Sequence, residues 1–411
     1  DLFNSWSFAG LPTSGGWVLR AQGLLGNDDT ARRLTPLIRA WPGEGGNARA
    51  LTGLEVLAAI GSDVALMHLN GMAQKVKFRG LQEAAREKIR ALAEQRGLDE
   101  AELADRLVPD LGLEEDGSLV LDFGPRQYTV GFDELLRPYV KGSDGKIVKE
   151  LPRGAKSDDP EKAKEATETW KNLKKDAKTL AGQQLARLEA AMCTRRRWPA
   201  EVFELFLAKH PLLQHVVRRL AWGQVAEDGT LRCFRVAEDG SYADAEDNSY
   251  TLDPALPVGL LHRLEIEGER AAAIQQIFED YGVMQPFSQL GREIYHLQPD
   301  EQGQTSLLRW QGRKVYSFKL ISLEHHGWRR GLAEDAGFST VMLKNVGSRA
   351  FVLELDPGIL MGMIEEYPEQ TLGAVTIGRA RGGGTGDGPS FGSLDPIVVS
   401  ELIRDLERVT A

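Results

Sequence analysis

The chain has 411 residues, enough for two or three domains at roughly 150 residues each, every one large enough to bury its own core. The 50 Lys and Arg face 60 Asp and Glu, and the resulting net charge of -10 opposes indiscriminate attraction to nucleic acid or anionic lipid. Two cysteines, Cys193 and Cys233, build neither a disulfide framework nor a CxxC zinc site, and no run of about 18 apolar residues is present to cross a bilayer; the expected location is the cytoplasm.

The opening "DLFNSWSFAG" carries neither an initial methionine nor targeting character, which suggests a piece cut from a longer protein. Residues 1–112 are predicted to be a helical array. Gly61 interrupts the pattern, Ser62 caps a helix carrying Leu66, Leu69, Ala73 and Val76, Gly97 ends the next, and Asp99 with Glu102 starts another as a capping box. Short helices joined by tight turns fit a HEAT-like or armadillo-like stack, although no clean repeat period is visible. Residues 113–153 change texture. "GSLVLDF" and "RQYTVGF" alternate, and Asp116-Gly117 and Asp144-Gly145 supply turns, so a small β-rich insert is expected.

Residues 154–330 are predicted to form a helical hairpin and a β-meander. "KSDDPEKAKEATETWKNLKKDAK" is a solvated, charge-paired helix face, and "QQLARLEAAM" buries Leu185, Leu188 and Met192. Arg195, Arg196 and Arg197 fall at or just past its C-terminus, where cations suit the helix dipole; Trp198, before Pro199, is biased extended. Phe203, Phe206 and Leu207, then Leu212, Leu213, Val216, Val217 and Leu220, give the hairpin an apolar seam. The echo "VAEDGT" and "VAEDGS" places Asp228-Gly229 and Asp239-Gly240 turns between β-prone runs, and "HRLEIEGERAAAIQQIFEDYG" is a helix. A hairpin is expected from "LLRW" to "KVYSFKLI" across Gln311-Gly312. Residues 331–411 hold the strands "STVMLK", "AFVLEL" and "LGAVTIG" and a closing helix, capped by Asp395 with Pro396 in its first turn. The fold class is therefore α+β: helical array, β-rich insert and mixed C-terminal module.

Candidate chemistry is sparse. "GPSFG" matches the nucleophile-elbow pattern at Ser390, but "RARGGGTGDG" before it is no strand and no histidine follows it. The same glycine run lacks the Lys-Ser/Thr of a phosphate loop. Among the histidines, Glu324, His325 and His326 are the best metal constellation, yet neighbours on a strand point to opposite faces, so no metal is assigned. Arg195, Arg196 and Arg197 are candidate anion contacts. "QPFSQLGRE" and "EHHGWRRGLAEDAG" supply a candidate pocket of Gln285, Arg292, His326, Trp328, Arg329, Glu334 and Asp335, which hold the acid, base and anion-binding types a site needs.

Several separated blocks carry a resemblance: "LADRLVPDLGLEEDGSLVLDFGPRQYTV", "RLEAAMCTRRRWPAEVFELFLAKHPLLQHVVRRLAWG", "FRVAEDGS", "YGVMQPFSQLGRE" and "GWRRGLAEDAG". In this order they resemble the MolR-like family, a domain of unknown function in bacterial proteins named after a molybdate metabolism regulator. The resemblance implies a helical-repeat N-terminal part, often joined to a DNA-contacting WGR domain that is not evident here. It also implies neighbours such as MoxR-type AAA ATPases and von Willebrand A-domain proteins, and offers no catalytic residue or cofactor. The expected function is a non-enzymatic regulatory or scaffolding component acting through protein partners. The alternatives are an enzyme or ligand-binding module with its pocket at residues 285–335, and a nucleic-acid-associated regulator.

Overall fold

The computed structural model describes residues 5–6, 8–75, 78–226, 229–266, 268–333, 337–346, 349–379 and 388–411. The fold is mixed α+β, and its contacts divide it into two compact units. The first is Asp1–Leu119 with Glu204–Gln214, the second Val120–Phe203 with His215–Ala411.

The first unit is helical: α1 (Trp17–Leu25), α2 (Asp28–Ala40), α3 (Asn47–Ile60), α4 (Asp63–Lys75), α5 (Arg79–Gln95) and α6 (Glu100–Arg106). Their boundaries follow local chemistry. Asn27 and Thr30 form a capping box on α2, Gly61 ends α3 at a left-handed φ of 64°, Ser62 Oγ accepts the Ala65 N–H, and Asp99 with Glu102 caps α6. α3 packs on α1, α2 and α5, and α4 on α2 and α5, burying Leu34, Ile38, Trp41, Leu54, Leu57, Leu66 and Leu69. Asp63, at the start of α4, receives the Arg106 Nε at 3.0 Å and also pairs with Arg96, while the Arg106 guanidinium lies 5.3 Å over the Phe206 ring. His210 serves as a cap here. Its Nδ1 accepts the Leu212 and Leu213 N–H groups, and Nε2 lies 3.1 Å from the Val108 carbonyl.

The second unit carries three antiparallel sheets. β1 (Leu119–Asp122), β2 (Gln127–Phe132), β3 (Pro138–Gly142) and β4 (Ile147–Val148) form a sheet in chain order. The charged stretch and "QQLARLEAAM" then run together as one helix, α7 (Pro160–Cys193), since no breaker stronger than Gly182 separates them. β5 (Arg197–Trp198), β6 (Ala221–Val225), β7 (Leu231–Val236), β8 (Tyr242–Asp244) and β9 (Val258–Leu260) make the second sheet, ordered β5-β9-β6-β7-β8 and backed by α8 (Gly268–Asp280). The β6-β7-β8 meander matches the echo, with Gly229 and Gly240 at φ of 82° and 83°; Asp228 lies outside the described residues. Where two hairpin helices are predicted, only single turns occur at Ala200–Phe203 and Gln214–Val217 with a π turn after the first, because Pro211 and the His210 cap break the run.

The third sheet contains β10 (Ser306–Leu307), β11 (Lys314–Tyr316), β12 (Trp328–Arg330), β13 (Phe338–Val346), β14 (Arg349–Leu360) and β15 (Glu369–Arg379). Its order is β10-β15-β14-β13-β12, with β11 also on β15. The expected hairpin across Gln311-Gly312 therefore does not form: both short strands pair with β15, and Gly312 N–H bonds the Leu372 carbonyl. After β11 the chain turns into α9 (Ser317–Ser322). The closing helix α10 (Pro396–Thr410) starts as expected, with Asp395 accepting the Ile397 N–H, and packs its apolar residues against Phe351, Leu353, Leu355 and Val375 on one face of this sheet. No helix among the described residues is long and apolar enough to cross a membrane.

Candidate functional site: a buried ionic seam along the last helix

α10 is buried on almost every side, although it carries Glu401, Arg404 and Asp405. Glu401 and Asp405 lie one turn apart on the same face, and each collects donors from other parts of the chain. Arg292 meets Glu401 as a fork, with Nε 2.7 Å from Oε1 and an Nη2 bond to Oε2. Its Nη1 donates to Glu189 Oε1 at 2.7 Å and to the Ser288 carbonyl at 3.0 Å, and Nη2 also faces the Cys193 sulfur at 3.4 Å. A guanidinium has five N–H groups, and all of them are used. His262 Nδ1 accepts the Leu264 N–H, which assigns the ring proton to Nε2, 3.1 Å from Glu401 Oε1.

The electrostatics follow from these contacts. Burial pushes the Glu401 carboxyl up, but the hydrogen bonds from Arg292 and His262 outweigh it and hold the group well below the usual carboxylate range. Burial, reinforced by the Glu401 charge, pushes the Cys193 thiol far up, so the sulfur is a thiol that donates to Glu401 Oε2 and not a thiolate. One turn on, Asp405 Oδ2 accepts Trp328 Nε1 at 2.8 Å and Lys344 Nζ at 2.6 Å. Half-buried His326 feels the same carboxylate: burial lowers its pKa, and Asp405 and Glu189 pull it back up only in part. An ionised acid, a neutral thiol and a fully engaged guanidinium hold chain segments together; they do not constitute a nucleophile and a base.

The predicted residues divide accordingly. Arg292 enters the Glu401 cluster, and His326 and Trp328 flank Asp405. Gln285 donates to Gln289 Oε1 at 2.9 Å and to the Arg219 carbonyl at 3.5 Å, away from Glu401, while Gln289 fastens the same loop to the Ala221 and Leu261 backbone. Arg329 faces outward, as alternation on β12 requires. Glu334 and Asp335 lie outside the described residues. Of the three arginines offered as anion contacts, Arg195 bonds Asp395 Oδ2 at 2.8 Å and lies 3.4 Å from Glu265, Arg197 pairs with Glu265, and Arg196 lies 5.2 Å over the Trp198 ring. Ser390 precedes the turn Phe391–Ser393, where Phe391 is buried and stacks on Phe351; the glycine run before Gly388 lies outside the described residues. No group of three His, Cys, Asp or Glu able to hold a metal occurs among the described residues.

The sequence reading missed Glu189, Cys193, His262 and Glu401. The last helix gave no signal: in "PIVVSELIRDLERVT" the apolar residues 398, 399, 402, 403, 406 and 409 gather on one face and Glu401, Arg404 and Asp405 fall on the other, the pattern of an ordinary surface helix.

Two cavities lie elsewhere. One of about 600 Å³ opens on the third sheet between Gln311, Thr340, Glu354, Asp356 and Thr371, and one of about 470 Å³ in the first unit is lined by Trp6, Trp17, Arg20 and Arg49. Among the described residues, none of the predicted pocket set lines either. The same end of the third sheet exposes Tyr316, Phe318, Met361, Met363 and Tyr367, which are 52%, 65%, 45%, 53% and 39% accessible.

With this geometry in place, the chain can be compared with known proteins. Residues 145–328 match the domain of unknown function DUF4132. The matched segment includes Glu189, Cys193, His262 and Arg292 but not α10. The chain is also 40% identical, over 361 residues, to the uncharacterized protein YehI of Escherichia coli (strain K12). That alignment covers 87% of this chain and 29% of YehI, so the chain spans less than a third of the relative's length. No solved structure matches.

Proposed function

We propose that the chain is a non-enzymatic regulatory or scaffolding component that works through protein–protein contacts. The observation behind this reading is the saturation of Arg292: the best anion-binding residue in the candidate pocket has no hydrogen left to offer a substrate, and its carboxylate partner is held ionised. A contiguous apolar end on the third sheet supports it from the other side. Tyr316 stacks on Phe318 at 5.7 Å, Tyr367 meets Phe338 at 5.0 Å, and Ser317 ties the two pairs together through the Pro368 and Tyr367 carbonyls. Exposed methionines and aromatics at one place are the composition of an adaptable docking surface.

In this reading the MolR-like resemblance, the HEAT-like character of α1–α6 and a cytoplasmic setting go together, and a MoxR-type AAA ATPase or a von Willebrand A-domain protein is the partner to look for. The internal pairing of Arg195 and Arg197 weighs against the nucleic-acid alternative. The test is capture from the native host with tagged chain. Phe318→Ser with Met363→Ser is expected to lose the partner recovered by wild type while unfolding at the same temperature; unchanged capture would contradict the reading.

A further inference from the structure

We propose that the outward face of the third sheet docks a basic polypeptide segment, whose cationic side chains meet Glu354 and Asp356 and whose apolar side chains pack on the Tyr316–Phe318 stack. The inference rests on the docking reading above and adds the partner's chemistry. Strand alternation defines the face. On β14 Phe351, Leu353 and Leu355 enter the core, so Val352, Glu354 and Asp356 face out; on β11 Val315 is buried, so Lys314 and Tyr316 face out. Register then sets the neighbours: Asp356 opposes Thr371, which opposes Lys314, and Glu369 opposes Tyr316. Carboxylates and aromatic rings therefore share one surface across β14, β15 and β11, roughly 10 Å wide at about 4.8 Å per strand.

Glu354 and Asp356 line the 600 Å³ cavity, a volume that admits a lysine or arginine side chain. Gly373 keeps it open, because a Cβ there would stand 2.7 Å from that of Glu354. Two carboxylates on one face of one strand repel; of the cations nearby, Lys314 pairs with Glu369 at 3.0 Å and Arg330 with Glu324 at 2.8 Å, while exposed Arg313 follows the cavity-lining Gly312. Exposed Glu365 and Glu366 extend the negative charge between Met363 and Tyr367. Glu354, Asp356, Glu365 and Glu366 together outnumber Arg313, so the charge left over is negative, and it is interleaved with apolar side chains. A cationic, apolar-anchored segment relieves the repulsion and covers the rings at once, with potential cation–π contact to Tyr316. A small cation meets only the first need.

The test uses the whole chain and a fluorescently labelled alternating Lys–Leu peptide, with an alternating Glu–Leu peptide for comparison. The Lys–Leu peptide is expected to bind and to slow hydrogen exchange in residues 314–318 and 354–373. Glu354→Gln with Asp356→Asn is expected to weaken it by at least about tenfold at low salt, with no loss of thermal stability. Glu165→Gln with Glu168→Gln, two exposed acids on α7, controls for net charge and is expected to leave affinity within about twofold. Equal weakening by both pairs, protection elsewhere, or no binding overturns the proposal. Loss of native partner capture with Phe318→Ser but not with Glu354→Gln and Asp356→Asn would leave the docking reading standing and remove the basic segment. Loss with neither would remove both.

Discussion

At the scale of single residues, Glu401 carries the largest consequence. Its carboxylate answers Arg292, His262 and Cys193 in a water-excluded place, and removing one partner of such a cluster leaves an uncompensated charge. Glu401→Gln is expected to lower the unfolding free energy by about 3–5 kcal/mol at neutral pH, measured by denaturant titration. The pH dependence has a definite sign. The folded pKa lies below that of an unfolded glutamate, about 4.3, so the stabilisation is complete above that pH and fades as the pH falls toward the folded value. Stability below about pH 4.3 is therefore expected to fall more steeply in wild type than in the Gln variant. His68 in the first unit shifts in the same direction: burial, with Arg39 and Arg32 nearby, lowers it to about 4. Its ring resonances are expected to titrate near that value and not near 6.5. The thiols are a third residue-level test. Burial pushes Cys233 up to about 11 and Cys193 further, so alkylation of the folded chain near pH 8 is expected to be at least about 100-fold slower than after unfolding. Rapid labelling of Cys193 would contradict the seam as described.

At the scale of elements, the C-terminus of α7 and the N-terminus of α10 depend on one another. α7 ends in a Schellman turn, with Arg196 N–H on the Ala191 carbonyl and Arg195 N–H on that of Met192. The left-handed position in that motif usually belongs to glycine, yet Arg195 occupies it at φ 52°. Its ion pair with Asp395 offsets the strain, and Asp395 in turn caps α10. Asp395→Ala removes both roles, and its expected cost is at least the 0.5–2 kcal/mol of a lost cap, roughly, read as a lower denaturant midpoint. Legibility in the sequence divides along these lines. The capping box of α6, the Asp395 cap and the β6-β7-β8 meander could be read, because each depends on residues a few positions apart. The Arg292–Glu401 fork could not, since 109 positions separate its members and nothing local in "GRE" marks a partner on the last helix. Likewise β10 and β11 favour β15 over each other for reasons of sheet geometry absent from either segment.

At the scale of the whole molecule, buried charge and exposed apolar surface have exchanged their customary places. Arg292, Glu401 and Asp405 are internal struts, while Phe318 and Met363 face outward at one end of a sheet. The strands there were legible, but which of their residues would be left uncovered was not, because exposure depends on α10 occupying the opposite face. Hydrogen exchange of the wild-type chain, alone and with the partner it captures from the native host, tests the central claim most directly. Protection is expected at residues 316–318 and 361–369, with the segments around Glu189, Arg292 and Glu401 unchanged. Protection centred on those buried segments, with none at the sheet end, would contradict it.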